Sequence, residues 1–171
     1  MSDNAALDYN RMFRHACAFA DCALYCEREP NSIECRFQSH TVSGIVNSAF
    51  ACEVFLKALL VYYGVSRFKE HDLKGLWLEL VKRDEDTAEL IQRSIKEWFA
   101  SDNDNLFDGL LDEAANAFVY WRYIYEKQDG SININFLRGF RILLRDICCK
   151  KFYNKSWEEF VDDEIGERIK M

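Results

Sequence analysis

The chain reads as an all-α protein, an antiparallel up-and-down helical bundle of four main helices with short extra ones. Apolar side chains recur at three- and four-residue intervals over long stretches, the repeat that gathers them on one helical face. The 171 residues include one proline, Pro30, and only seven glycines. So few chain breakers favour long helices over a turn-rich β fold. No segment alternates apolar and polar residues convincingly enough to be a strand.

The first helix is expected over about residues 4–29, where Met12, Ala16, Phe19, Ala20 and Ala23 form the apolar stripe. Pro30-Asn31-Ser32 ends it, and residues 31–39 form a polar connection. The second, about 40–63, turns Val42, Ile45, Val46, Ala49, Phe50, Leu56, Leu59 and Leu60 inward and stops at Gly64, a natural C-terminal cap. A short helix starts at Asp72, whose carboxylate can cap the amides two and three residues on, and carries Leu73, Leu76, Trp77 and Leu80. Another, about 86–100, carries Leu90, Ile91, Ile95, Trp98 and Phe99, and the polar tract 101–105 follows. A long helix is expected over about 106–128, with Leu110, Leu111, Ala114, Ala117, Phe118, Trp121 and Tyr125 inward. The next, about 133–153, buries Leu137, Phe140, Leu144, Ile147 and Cys148, and an amphipathic segment near 156–168 closes the chain. No repeat or long linker divides these elements, so residues 1–171 are expected to form one helical domain.

Composition narrows the function classes. Apolar residues make up 49% of the chain and aromatics 15%, which excludes disorder. The formal net charge is −7, so any nucleic-acid role needs a local basic site. No basic leader with a long apolar core precedes the first helix, and no stretch approaches 18 uncharged apolar residues. A cytoplasmic location without membrane association is the expectation. An odd count of seven cysteines, most of them inside helical patterns, argues against a disulfide framework. Cys22 and Cys26, with His15 and Cys35 nearby, could ligate a metal, but no Cys-x-x-Cys knuckle is present, and neither metal nor cofactor is expected. There is no glycine-rich phosphate loop, no nucleophile elbow and no two-histidine zinc helix.

The charged residues on the apolar stripes are more informative. Glu53 shares an azimuth with Ala49, Leu56 and Leu60, and Lys57 follows one turn later in the favoured order for an ion pair. Arg122 lies beside the aromatic stripe Phe118, Trp121, Tyr125. A buried charge needs a partner, so Glu53 and Arg122 are expected to meet, with Lys57 or His71 close by. They form either a structural lock or the polar centre of a site. The row Arg138, Arg141, Arg145 occupies one helix face. It reads as a solvated face pairing with the excess carboxylates, or as a phosphate contact.

Three segments carry a family resemblance: Phe50-x-x-Glu53-x-x-x-Lys57-Ala58-Leu59-Leu60; His71-Asp72-Leu73-x-x-Leu76; and Phe118-x-x-Trp121-Arg122-Tyr123-x-Tyr125-Glu126. In this order, over about residues 40–150, the chain resembles the HEPN superfamily (higher eukaryote and prokaryote nucleotide-binding domain). The resemblance implies a helical bundle that often dimerises, and roles in toxin–antitoxin or phage-defence systems. Those roles are metal-independent RNA cleavage, partnership with nucleotidyltransferase-like proteins, and binding without catalysis. Catalytic members carry an arginine and then a histidine after four to six intervening residues. Here no histidine follows Arg122, and the pairs Arg11–His15, Arg36–His40 and Arg67–His71 have only three intervening residues. The expectation is therefore a homodimeric binding module for RNA, a nucleotide, or a nucleotidyltransferase-like or antitoxin partner. Its ligand-binding residues would be Glu53, Lys57, His71, Arg122, Tyr123 and Glu126. The alternatives are a divergent endoribonuclease, with His71 as base and Arg122 on the phosphate, and a homodimeric scaffold without ligand.

Overall fold

The computed structural model describes residues 7–28, 39–68, 72–127 and 130–169. Among them the chain is an all-α helical bundle without strands: α1 (Tyr9–Arg28), α2 (Ser39–Tyr62), α3 (Leu73–Arg83), α4 (Glu85–Trp98), α5 (Leu106–Ala114), α6 (Ala117–Arg122), a 3₁₀ turn (Ile124–Glu126), α7 (Ile134–Tyr153) and α8 (Trp157–Ile169). Helix α2 is the centre, packed against α1, α3, α6 and α7. It runs alongside α7 in the same direction: Ser48 meets Arg141, the Phe55 carbonyl meets Cys148, and Tyr63 meets Lys151. Helix α1 runs opposite to both, so Phe13 reaches Tyr153 while Glu27 reaches Arg141. One continuous apolar core extends from Phe13 on α1 to Phe160 on α8, with Phe55, Leu56, Leu59 and Leu60 of α2 at its middle.

The helix ends follow from local chemistry. Gly64 takes φ +86, and the Gly64 and Val65 amides donate back to the Val61 and Leu60 carbonyls at 2.9 Å, closing α2. Asp72 caps α3 by accepting from the Gly75 amide at 2.8 Å, and Asn133 caps α7 by accepting from Phe136 at 3.0 Å. The same left-handed closure ends α4, but at Ala100, with φ +46.

The expected long helix over 106–128 is broken. The chain leaves helical geometry at Asn116, just after Ala115, and again at Tyr123 before the 3₁₀ turn. The first break turns the Ala115 carbonyl toward α3, where it accepts from the Leu73 amide at 2.9 Å. That amide has no partner inside its own helix, so a tertiary hydrogen bond replaces helical ones. Tyr125, expected inward, lies in the 3₁₀ turn beyond the second break and is 76% exposed. Leu90 and Trp98 of α4 are also exposed, because Thr87, Ala88, Ile91 and Ile95 take its inward stripe.

Helix α2 has the length and hydropathy to cross a membrane, by those criteria alone, over His40–Tyr62. In the fold, 67% of that window is buried in protein, as expected of a core helix.

Candidate functional site

The residues singled out by sequence occupy two separate places. On α2, Glu53 is buried at 4% exposure and accepts from the Lys57 ammonium one turn on, at 2.5 Å. The Lys57 side chain is itself only 12% exposed, and its ammonium lies 5.5 Å from the centre of the Phe68 ring. Arg122 is exposed at the end of α6. Its guanidinium lies over the rings of Phe118 and Tyr123, 4.9 and 4.7 Å from their centres. Arg122 makes no ion pair with any described residue, so the expected Glu53–Arg122 pair does not form. Glu53 has a cation four residues away in its own helix. Ala117, Phe118 and Trp121 fill the inward positions of the short α6, which leaves Arg122 stacked on Phe118 at i,i+4. Glu126 is exposed in the 3₁₀ turn, and His71 lies outside the described residues.

The surface around Arg122 is therefore aromatic and cationic. Phe118 stacks on Phe50 of α2, with ring centres 4.6 Å apart, and this anchors the platform to the core. Tyr123 is more than a third exposed, and its ring centre lies 6.3 Å from that of the open Tyr125. The Lys127 ammonium sits 5.7 Å from the centre of the Tyr120 ring. Beyond Tyr120 and Trp121 opens a cleft of about 480 Å³, bounded by Asp112, Glu113, Asn116 and Ser131.

The buried charge lock is elsewhere. Arg141, read from sequence as part of a solvated row, is 3% exposed. Its guanidinium donates to both carboxylate oxygens of Glu27, at 2.9 and 3.3 Å, and to Ser48 Oγ at 2.5 Å. These bonds tie α7 to α1 and α2. The other two arginines of the row stay at the surface: Arg138 Nε lies 3.6 Å from Glu27, and Arg145 pairs with Asp146 and lies over the Trp157 ring. A sequence signal existed, since Arg141 is flanked at i−4 and i+3 by the core residues Leu137 and Leu144. It was indistinguishable from the spacing of an exposed row.

A second knot joins the far ends of α2, α3, α4 and α7. Asp84 accepts from Tyr63 Oη, from Lys151 Nζ at 2.8 Å and from the Thr87 amide at 3.2 Å, thereby capping α4. Burial alone would raise the Asp84 carboxyl, but hydrogen bonds from Lys151, Thr87 and Tyr63 outweigh it and hold the group far below the usual carboxylate range. Burial, and then the bond to Asp84, pushes the Tyr63 phenol up.

Three of the described cysteines are packing residues of the core. Cys52, Cys148 and Cys149 are buried. Burial raises the thiols, Cys52 and Cys149 to about 12, which suppresses the reactive thiolate at neutral pH. Cys22 is exposed, and Cys35 lies outside the described residues. Among the described residues no three His, Cys, Asp or Glu side chains are grouped to hold a metal ion.

Comparison with protein-family models, with curated proteins and with solved structures finds no match for this chain.

Proposed function

We propose that the protein is an HEPN-like helical module of a toxin–antitoxin or phage-defence system. It binds single-stranded RNA or a nucleotide without cleaving it, at the platform formed by Arg122, Tyr123 and Tyr125. The observation that carries this reading is the exposed guanidinium lying over two rings, with no carboxylate among the described residues paired to it and a third ring open beside it. An aromatic face stacks any base, and an adjacent cation meets the phosphate. This is the local cationic site that a chain of net charge −7 requires. Glu53 and Lys57 then serve the fold rather than the ligand, because they satisfy each other inside the bundle. Binding without cleavage follows from the absence of a histidine at the catalytic spacing after Arg122.

Fluorescence anisotropy of a labelled single-stranded RNA tests the reading. Binding should weaken by about tenfold in Tyr125→Ala, on the scale of one lost base stack, and at least as much in Arg122→Ala. The RNA should remain intact on a denaturing gel. Absence of binding at low salt, or binding indifferent to both substitutions, would refute the site.

A further inference from the structure

A second cleft lies on a different part of the surface, between the C-terminal end of α2 and α3. It encloses about 480 Å³. Its floor presents an accessible apolar surface made by the half-buried Val65 and Phe68 and the exposed Leu78, underlain by Leu60 and Leu76, which are buried in the core. Among the described residues the rim carries three cations, Arg67, Lys82 and Arg83, against one carboxylate, Glu79. Glu79 is already engaged, accepting from Arg83 at 2.9 Å and from Lys82 at 3.4 Å. Arg67 makes no ion pair with any described residue. Among the described lining residues the surplus is therefore two positive charges, in a chain whose overall net charge is −7.

We infer that this cleft docks an acidic, amphipathic segment of a partner protein. Its apolar side chains would lie on Val65, Phe68 and Leu78 and its carboxylates would meet Arg67, Lys82 and Arg83. The floor decides against a nucleic acid. It is apolar, and the one carboxylate among the described lining residues is engaged by Lys82 and Arg83, so little is left to read the polar edge of a base. Aliphatic anchors one helical turn apart, flanked by Glu or Asp, match both the floor and the rim. The charge surplus makes the match selective. Beyond about one Debye length the net negative charge is screened, and within it the partner meets a rim with a basic surplus. The site is independent of the Arg122 platform, so either can fail without the other.

The test uses three labelled helical peptides of equal length: one with Leu at i, i+3, i+4 and i+7 flanked by Glu, a second with Lys for each Glu, and a third with Ala for each Leu. The Leu/Glu peptide should bind the full chain at least tenfold more tightly than either control. Arg67→Glu combined with Lys82→Glu should abolish that preference. The circular dichroism and melting temperature of that variant should stay unchanged, since both side chains are exposed. Raising salt from low to high should weaken binding severalfold. Equal binding of the Lys peptide, no binding of the Leu/Glu peptide up to millimolar concentration, or displacement of that peptide by oligouridylate would overturn the proposal.

Discussion

Arg141 should be the most consequential charged residue in the chain. Its guanidinium is 3% exposed and makes three hydrogen bonds, two to Glu27 and one to Ser48. Replacing Arg141 with Met keeps most of the apolar stem but leaves the Glu27 carboxylate, whose side chain is 17% exposed, without its main partner. Arg138 at 3.6 Å offers a partial substitute, so the loss should fall at the lower end of the range for breaking a buried pair, about 3 kcal/mol. Glu27→Leu leaves the deeper of the two charges stranded and should cost about 4 kcal/mol. For a chain of this size these losses lower the melting temperature by roughly 6–16 °C. The double variant removes both charges and should cost only about 1 kcal/mol, because a buried pair replaced by apolar side chains is often near neutral. Thermal and urea melts of all four proteins form the cycle. If the double variant loses the sum of the single losses to within about 0.5 kcal/mol, the residues do not interact and the lock is refuted. Arg122→Ala, at an exposed stacked cation, should move stability by no more than about 0.5 kcal/mol.

The Asp84 knot should show in the pH dependence of stability. Its folded pKa is depressed, so its contribution is complete above the ordinary carboxyl value of 3.8 and is lost as pH falls below that value toward the folded one. Asp84→Asn should cost about 2 kcal/mol at neutral pH, from the weakened cap and lost charged hydrogen bonds, and the gap to wild type should narrow in melts below pH 4. Tyr153 Oη is buried without a hydrogen-bond partner among the described residues, so Tyr153→Phe should stabilise by about 1 kcal/mol in urea melts; a loss would mean that the hydroxyl is satisfied. Ala100 closes α4 at φ +46, where a Cβ is strained, so Ala100→Gly should raise the melting temperature by a few degrees, about 0.5–1 kcal/mol. Among the described thiols, mass-spectrometric mapping of alkylation should find Cys22 modified first, and Cys52 and Cys148 only on unfolding.

What the sequence determined by itself is the part governed by short-range rules. The period of apolar residues and the shortage of breakers specify helices. The caps at Gly64, Asp72 and Asn154 depend on a few neighbouring residues, and Gly64 and Asp72 could be read directly from them. The Glu53–Lys57 contact was legible for the same reason, since four residues along a helix is a fixed geometry. Whatever depended on which helices meet, and at what height, was settled only by the tertiary structure. The Leu73 amide needed an acceptor and took the Ala115 carbonyl, where a helix that periodicity alone would have continued is broken, and a second break at Tyr123 leaves Tyr125 at the surface. The buried charge pair was correctly required in kind but assigned to the wrong residues. Periodicity places a side chain on a face, and only the packing of α1, α2 and α7 decides that Arg141 faces inward onto Glu27 while Arg138 and Arg145 remain at the edge. Asp84, Tyr63 and Lys151 meet for the same reason. They lie on elements far apart in sequence, and their partnership comes from the convergence of helix ends in space.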